Sequence, residues 1–245
     1  MRRCLSIAAT ALLAFLLAVE GSAQTAQTSA QSTPQALKAT YDQAMQAKDW
    51  PAALAAAQQL VDANATSANL FLLGNAQLYA AKATDEEEAA LATYDRALAA
   101  AEQEKPAQGQ PDTAWKDGVA KIYIGRGHAL LKLKRNAEAI DAYRHSAEMS
   151  SSPGKAYFNI CAVLYNTGDT VNGPAACRKA AAADPTNANA WFVLGSLLFA
   201  NAPIDSNRKV AITQEGLEAL KKYLELAPDG PHAADVKAML DMCVK

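Results

Sequence analysis

The sequence predicts an all-α protein made of stacked helix hairpins, and three columns of residues predict it. Aromatic residues recur 34 residues apart, at Tyr123, Tyr157 and Trp191. Two further columns share this period: Gly127, Cys161 and Gly195, and Leu130, Leu164 and Leu198. Self-similarity at a fixed period of this kind indicates repeated helix–turn–helix units, each covering the apolar face of the next.

The composition agrees with helices and restricts the partners. Apolar residues make up 51% of the chain and aromatic residues only 7%, so a core must be built largely from Ala and Leu, which suits close helix packing. The formal net charge is −2, and no cluster of Lys and Arg stands out. We therefore expect no nucleic-acid partner.

The first 23 residues are typical of an export signal. A basic start, Arg2-Arg3, precedes an apolar run over residues 5–19 and then the small residues Gly21-Ser22-Ala23. This order predicts a cleaved signal peptide over residues 1–23. The alternative is a retained membrane anchor, but the apolar run is shorter than the roughly 20 residues that span a bilayer. We expect an exported, soluble protein in the periplasm or cell envelope, with no membrane insertion after cleavage.

The remaining chain divides into a linker and a repeat domain. Residues 24–33 consist of Gln, Thr, Ser and Ala and predict a flexible linker. A helical domain then spans residues 34–245. We divide it into units of about 34–67, 67–105, 113–153, 154–187 and 188–229, followed by a capping helix over 231–244.

The individual units carry a recognisable motif. The stretch from Trp191 to Leu198 places an aromatic residue before Leu194-Gly195 and large apolar residues, and Tyr94 and Tyr143 follow Ala by four residues in the second helices. These features resemble the tetratricopeptide repeat. The resemblance implies a right-handed superhelical stack of antiparallel hairpins. It also implies a protein–protein interaction scaffold or adaptor rather than an enzyme.

In the family that the motif resembles, the first helices of successive units line a concave groove that holds an extended peptide or partner segment. Carried over by repeat position, the resemblance implies a groove formed by Lys121, Ile124, His128, Lys132, Lys155, Phe158, Asn159, Tyr165, Asn166, Asn189, Phe192, Ser196 and Phe199. Asn side chains can bond both the N–H and the C=O of an extended backbone. Three alternatives stay open: ordinary helix surface, a regulatory subunit of an envelope enzyme complex, or a small-ligand binding protein.

By repeat position, the two cysteines of the fourth unit face each other across its hairpin. Cys161 lies on the first helix and Cys177 on the second, and a disulfide persists in an oxidising compartment. We predict this bridge, the alternative being two reduced cysteines that fill space. Cys243, in the terminal helix, has no assigned role.

Motifs for chemistry are missing from the sequence. None of the histidines at 128, 145 and 232 has a second His or Cys three or four residues away, so we expect no metal site. No Ser or Cys nucleophile motif accompanies a His, and we expect no cofactor. The acidic run Asp85-Glu86-Glu87-Glu88 is typical of a helix start, where carboxylates favour the positive end of the helix dipole.

Overall fold

The computed structural model describes residues 33–206 and 209–243, which form a stack of antiparallel helices. The predicted signal peptide and all of the predicted linker except Thr33 lie outside these residues. The helices of the described part are α1 Pro34–Ala47, α2 Trp50–Ala63, α3 Ser67–Ala80, α4 Thr84–Gln103, α5 Thr113–Lys132, α6 Asn136–Met149, α7 Gly154–Asn166, α8 Gly173–Ala183, α9 Ala188–Ala200, α10 Gln214–Leu226 and α11 Ala233–Met242.

Consecutive helices pack as hairpins, and each hairpin packs on the next. The pairs α1/α2, α3/α4, α5/α6, α7/α8 and α9/α10 are called units one to five below. First helices of neighbouring units also touch, α3 with α5 and α7 with α9. The all-α repeat architecture predicted from the 34-residue period is confirmed for the described residues. None of the described helices is long and apolar enough to cross a membrane.

Three of the hairpins turn through a residue in the left-handed region. Lys48, Lys134 and Gly168 have φ values of 57°, 59° and 72° and follow the first helices of units one, three and four. In unit three, the N–H of Lys134 donates to the carbonyl of Leu131 at 2.9 Å. A left-handed residue here ends the helix and satisfies carbonyls of its last turn, which allows a short return into the second helix.

The acidic run begins α4, as its composition predicts. Asp85, Glu86 and Glu87 lie in the first turn of this helix. The Glu86 carboxylate accepts the backbone N–H of Ala83 at 3.3 Å, so it caps the helix as well as favouring its dipole.

Close approach of the two helices in a hairpin depends on a small residue opposite a large one. A Cβ added to Gly74 would lie 2.9 Å from Cε1 of Tyr94, and one added to Gly195 would lie 2.6 Å from Cδ2 of Leu220. A Cβ at Gly127 would likewise collide with the ring of Tyr143. Glycine in the first helix thus makes room for the buried side chain of the second.

Unit four replaces this pair with a disulfide. Cys161 and Cys177 are joined by an S–S bond of 2.05 Å with their Cα atoms 4.8 Å apart. Both side chains are fully buried, and they belong to the apolar core that continues through α9, α10 and α11. A second core cluster runs from α1 to α7, so the two clusters meet within unit four.

Two connections between helices are longer than the hairpin turns, and hydrogen bonds hold both of them against the helices. Between units two and three, Trp115 Nε1 donates to the Ala101 carbonyl at 2.7 Å. In unit five the loop between α9 and α10 forms an isolated bridge from Ile204 to Val210. The N–H of Val210 donates to the carbonyl of Met242 at 2.9 Å, which joins this loop to the end of α11.

Candidate binding groove

The first helices of units one to four line two adjoining cavities. The central cavity has a volume of about 600 Å³ and is bounded by α3, α5 and the start of α7, with Met45 of α1 at its edge. The apolar cavity has a volume of about 730 Å³ and is bounded by α1, α3 and the start of α5. Phe71 and Lys121 line both, so the two cavities adjoin at these side chains, and together they are called the groove below.

Two lysines give the central cavity its charge. Lys121 of α5 and Lys155 of α7 line it and are solvent-exposed. The nearby Asp117 is engaged by Ser151, which donates its backbone N–H at 2.8 Å and its hydroxyl at 2.9 Å. These bonds from Ser151, the backbone bond foremost, lower the pKa of the Asp117 carboxyl, with a smaller contribution from Lys121.

His128 forms part of the cavity wall in a half-buried position. Its Nε2 lies 3.4 Å from Asn159 Nδ2, and its ring meets Tyr143 edge-on with centroids 5.8 Å apart. Burial lowers the pKa of His128, and the charge of Lys155 lowers it further. The imidazole is therefore neutral at neutral pH, with Nε2 as the acceptor that meets the Asn159 amide and Nδ1 as the donor.

A tyrosine network supports the other wall. The Tyr94 hydroxyl donates to Asn75 Oδ1 at 2.8 Å, and burial raises the pKa of Tyr94. Burial also raises the pKa of Tyr41 to about 12, although a hydrogen bond with Asn75 opposes the shift. Asn75 is thus held by buried phenols while it borders the cavity, where amide groups can meet a peptide backbone.

Several residues placed in the groove by repeat position do line it. Lys121, Ile124, His128 and Lys155 border the central cavity, and Asn159 lies beside it against His128. Tyr165 is 38% exposed, and Asn166 ends α7 on the surface. Their role in binding stays a prediction.

Two other predicted residues have structural partners. Lys132 donates its Nζ to the carbonyl of Leu78 at 2.7 Å and ties α5 to α3. Phe158 is half-buried and packs against the C-terminal core. Neither side chain borders the central or the apolar cavity.

The groove does not continue into unit five as expected from repeat position. Phe192 is only 8% exposed, and the ring of His232 stacks on it with centroids 3.9 Å apart and planes 3° apart. Ser196 is 6% exposed, and its hydroxyl has no hydrogen-bond partner among the described residues. The segment entering α11 therefore covers this end, because it follows the last hairpin directly. Asn189 is exposed and Phe199 half-buried on α9, outside both cavities.

Sequence reasoning missed the contribution of units one and two. Met45, Phe71, Asn75 and Tyr79 border the central cavity. Asn75 follows Gly74 just as His128 follows Gly127, so the repeat register contained the signal for it. Within residues 33–206 and 209–243, no group of three or more His, Cys, Asp or Glu side chains could hold a metal ion.

Solved structures share this arrangement of hairpins. YrrB, described as a TPR (tetratricopeptide-repeat) protein with an unusual peptide-binding site, matches with a TM-score of 0.53 at 18% identity, over 86% of this chain and 94% of that chain. MamA matches with a TM-score of 0.55 at 18% identity, over 83% and 95%. The chain has the tetratricopeptide-repeat fold.

A third tetratricopeptide-repeat protein gives the same result. TTC0263 of Thermus thermophilus matches with a TM-score of 0.51 at 15% identity, over 84% of this chain and 98% of that chain. No protein-family model and no curated protein matches the sequence. At these identities the likeness shows the tetratricopeptide-repeat fold and leaves the function to be argued from the groove.

Proposed function

We propose that this chain is a protein–protein interaction scaffold that holds an extended segment of a partner in the groove formed by units one to four. The observation that carries this proposal is that the two cavities, lined by helices of four successive units, adjoin at Phe71 and Lys121. A groove that crosses several rigid helices suits an extended chain, which presents side chains and backbone groups at regular intervals.

The lining supports a polypeptide ligand. The apolar cavity offers Leu60, Phe71 and Leu72 for a side chain, and the central cavity offers Asn75 and His128 for backbone groups. YrrB, which shares the fold, is described as having a peptide-binding site. The described groove residues form no arrangement of nucleophile, base and orienting acid, so we assign the chain a binding role without catalysis.

We further propose that the protein acts outside the inner membrane. Residues 1–23 have the order of a signal peptide, and a buried disulfide is kept in an oxidising compartment. Fractionation of cells producing the full chain, with intact-mass measurement of the mature protein, tests this part separately. A cytosolic protein that retains residues 1–23 would contradict it.

Photo-crosslinking tests the groove directly. A photoreactive amino acid replaces Lys121 in the groove or, as a matched control, Lys179 on α8, which lines a separate cavity bounded by α6, α7 and α8. We expect a partner adduct from the Lys121 position, reduced when Lys155→Ala and Asn159→Ala are added, and none from Lys179. Adducts only from Lys179 would place the interface at that separate cavity and overturn the proposal.

A further inference from the structure

The groove changes character along its length, and Lys121 stands where it changes. On one side lies the apolar cavity, whose wall is largely apolar through residues such as Ala39, Ala68 and Leu72 and also contains the mutually paired Lys38 and Asp42. On the other side lies the central cavity, with Lys155, His128 and the hydroxyls of residues 150–152. A ligand that fills both parts must therefore carry two kinds of side chain in a fixed order.

The cationic part carries two lysines against one carboxylate, that of Asp117. Neither Lys121 nor Lys155 forms an ion pair with a carboxylate of the described residues, whereas Lys38, Lys105, Lys116 and Lys222 do. The nearest acid in the cavity, Asp117, already accepts two hydrogen bonds from Ser151. Asp117 stays ionised and interacts electrostatically with Lys121, so the two lysines leave the cavity lining with an excess of one positive charge.

The position of Lys155 is unfavourable for the helix that carries it. Lys155 lies in the first turn of α7, which contains no acidic residue and has no side-chain cap at Pro153. A cation at the positive end of a helix dipole destabilises the helix, and a carboxylate there stabilises it. A lysine at this position is therefore explained better by an anionic ligand than by the stability of α7.

We infer that the groove selects an internal, extended segment of a partner protein in which a large apolar side chain lies next to Asp or Glu. The apolar side chain enters the apolar cavity, and the carboxylate lies between Lys121 and Lys155. This inference rests on the proposed function and adds the chemistry of the segment. Charge complementarity supports it, because these lysines are unpaired in a chain whose net charge is −2.

Two features of the chain favour a segment of another protein, over a segment of this chain, as the occupant of the groove. Residues 24–33, which precede α1, contain no acidic residue that could meet the lysines. The acidic run at 85–88 is part of the first turns of α4, so it is not available as an extended strand to a second copy. Because Lys121 stands in the middle of the groove, the bound chain continues on both sides of its carboxylate.

Phage selection with two random dodecapeptide libraries tests the inference. In one library the random segment lies between constant segments, and in the other it ends in a free carboxylate. Baits are the wild type, Lys121→Ala/Lys155→Ala, and the charge-matched control Lys221→Ala/Lys237→Ala, whose lysines are exposed on α10 and α11. Thermal unfolding of each bait checks the fold.

We expect the internal library to yield segments with Asp or Glu beside Leu, Phe or Met from the wild type and the control. Selected peptides should bind the double groove variant about tenfold more weakly, since two partly exposed ion pairs are lost. Lys155→Ala alone should leave the unfolding temperature unchanged or raised, because it removes the cation from the start of α7.

Each contrary outcome would overturn a different part of the argument. Selection of acid-free segments, or of segments unaffected by the groove variant, would overturn the inference while leaving peptide binding intact. Enrichment of acids only at the free carboxyl end would overturn the assignment to an internal segment. Failure of both libraries to enrich any peptide on the wild type would count against the proposed function itself.

Discussion

Units three and four solve the same packing problem with different chemistry. Displaced by one period of 34 residues, Gly127 corresponds to Cys161 and Tyr143 to Cys177. In unit three a glycine makes room for a buried tyrosine ring, and in unit four a disulfide joins two small side chains. One hairpin is therefore held by apolar burial and the other by a covalent cross-link, within the same helical geometry.

The comparison extends to the turn and to the groove. Lys134 of unit three and Gly168 of unit four occupy the same left-handed turn position, and His128 of unit three is replaced by Ala162 in unit four. The two units thus differ at matching positions in the core, in the turn and at the residue that follows the core position of the first helix. Substitutions that exchange these features between the two units measure what each feature contributes to the stability of the protein.

The largest effect is expected from the tyrosine of unit three. Tyr143→Ala removes a fully buried ring that Gly127 is shaped to receive, and should lower the free energy of unfolding by about 3–5 kcal/mol. Urea unfolding measures this loss. The control is Tyr143→Phe, which should be neutral or stabilising because the buried hydroxyl has no hydrogen-bond partner in the described structure. Equal losses in both variants would contradict the packing explanation.

The disulfide of unit four should contribute somewhat less. Cys161→Ala/Cys177→Ala opens a loop with a sequence separation of 16, which costs about 3 kcal/mol in the chain-entropy account. Unfolding with and without dithiothreitol should differ for the wild type and coincide for the variant. Mass measurement after thiol alkylation confirms reduction.

Transfer of the core pair of unit three into unit four gives a further test of how the two hairpins are held together. Cys161→Gly/Cys177→Tyr gives unit four the core pair of unit three. It should recover about 1–3 kcal/mol relative to the double alanine variant, through burial of the ring. A variant no more stable than the double alanine variant would show that the two hairpins are not interchangeable.

His128 should make the stability of unit three depend on pH. Burial depresses its pKa below the unfolded value of about 6.5, so the unfolded chain binds the proton more readily. This contribution is complete above about pH 6.5 and is lost as the pH falls through the folded pKa.

The matched variant for this pH effect is His128→Asn, which copies Asn75 of unit two. The charged and polar groups that face the ring are Lys155, Asn159 and Tyr143, and all three are retained. Wild type minus variant unfolding free energies, measured from about pH 8 to about pH 5, should decline toward acid. A difference independent of pH would be inconsistent with a depressed pKa.

The smallest effect concerns the turn. Lys134→Gly relieves a side chain held at φ 59° and should stabilise the protein by about 0.5–1 kcal/mol. The reciprocal Gly168→Lys should destabilise it by a similar amount. A Cβ at Gly168 would meet nothing within 4 Å, so only backbone strain is tested. Thermal unfolding of the two variants, with shifts in opposite directions, supports the comparison.

The fold could be predicted because its signals are local and repeated. The 34-residue columns identify the residues between paired helices, and the acidic run at 85–88 marks the start of α4. The groove was predicted only in part. Repeat position places Lys121, His128 and Lys155 on the cavity but cannot show that Lys132 reaches the carbonyl of Leu78, since that bond depends on how α5 lies against α3.

Unit five shows why repeat position alone was insufficient. Repeat position assigns Phe192 to the groove because this reasoning treats every unit as having the same neighbours. The segment after α10 does not repeat the segment after α8, and it places His232 on the Phe192 ring. Only the three-dimensional path of that segment shows that this position is occupied.

The closure by His232 also constrains how such an array can change by gene duplication. Copies of unit five added behind α10 would have to displace the ring stacked on Phe192 and the Tyr223 hydroxyl that accepts the His232 N–H at 2.9 Å. Copies of units two to four inserted within the array would leave that end intact. A relative with more repeat units is therefore expected to have gained them within the array, between its first and last units.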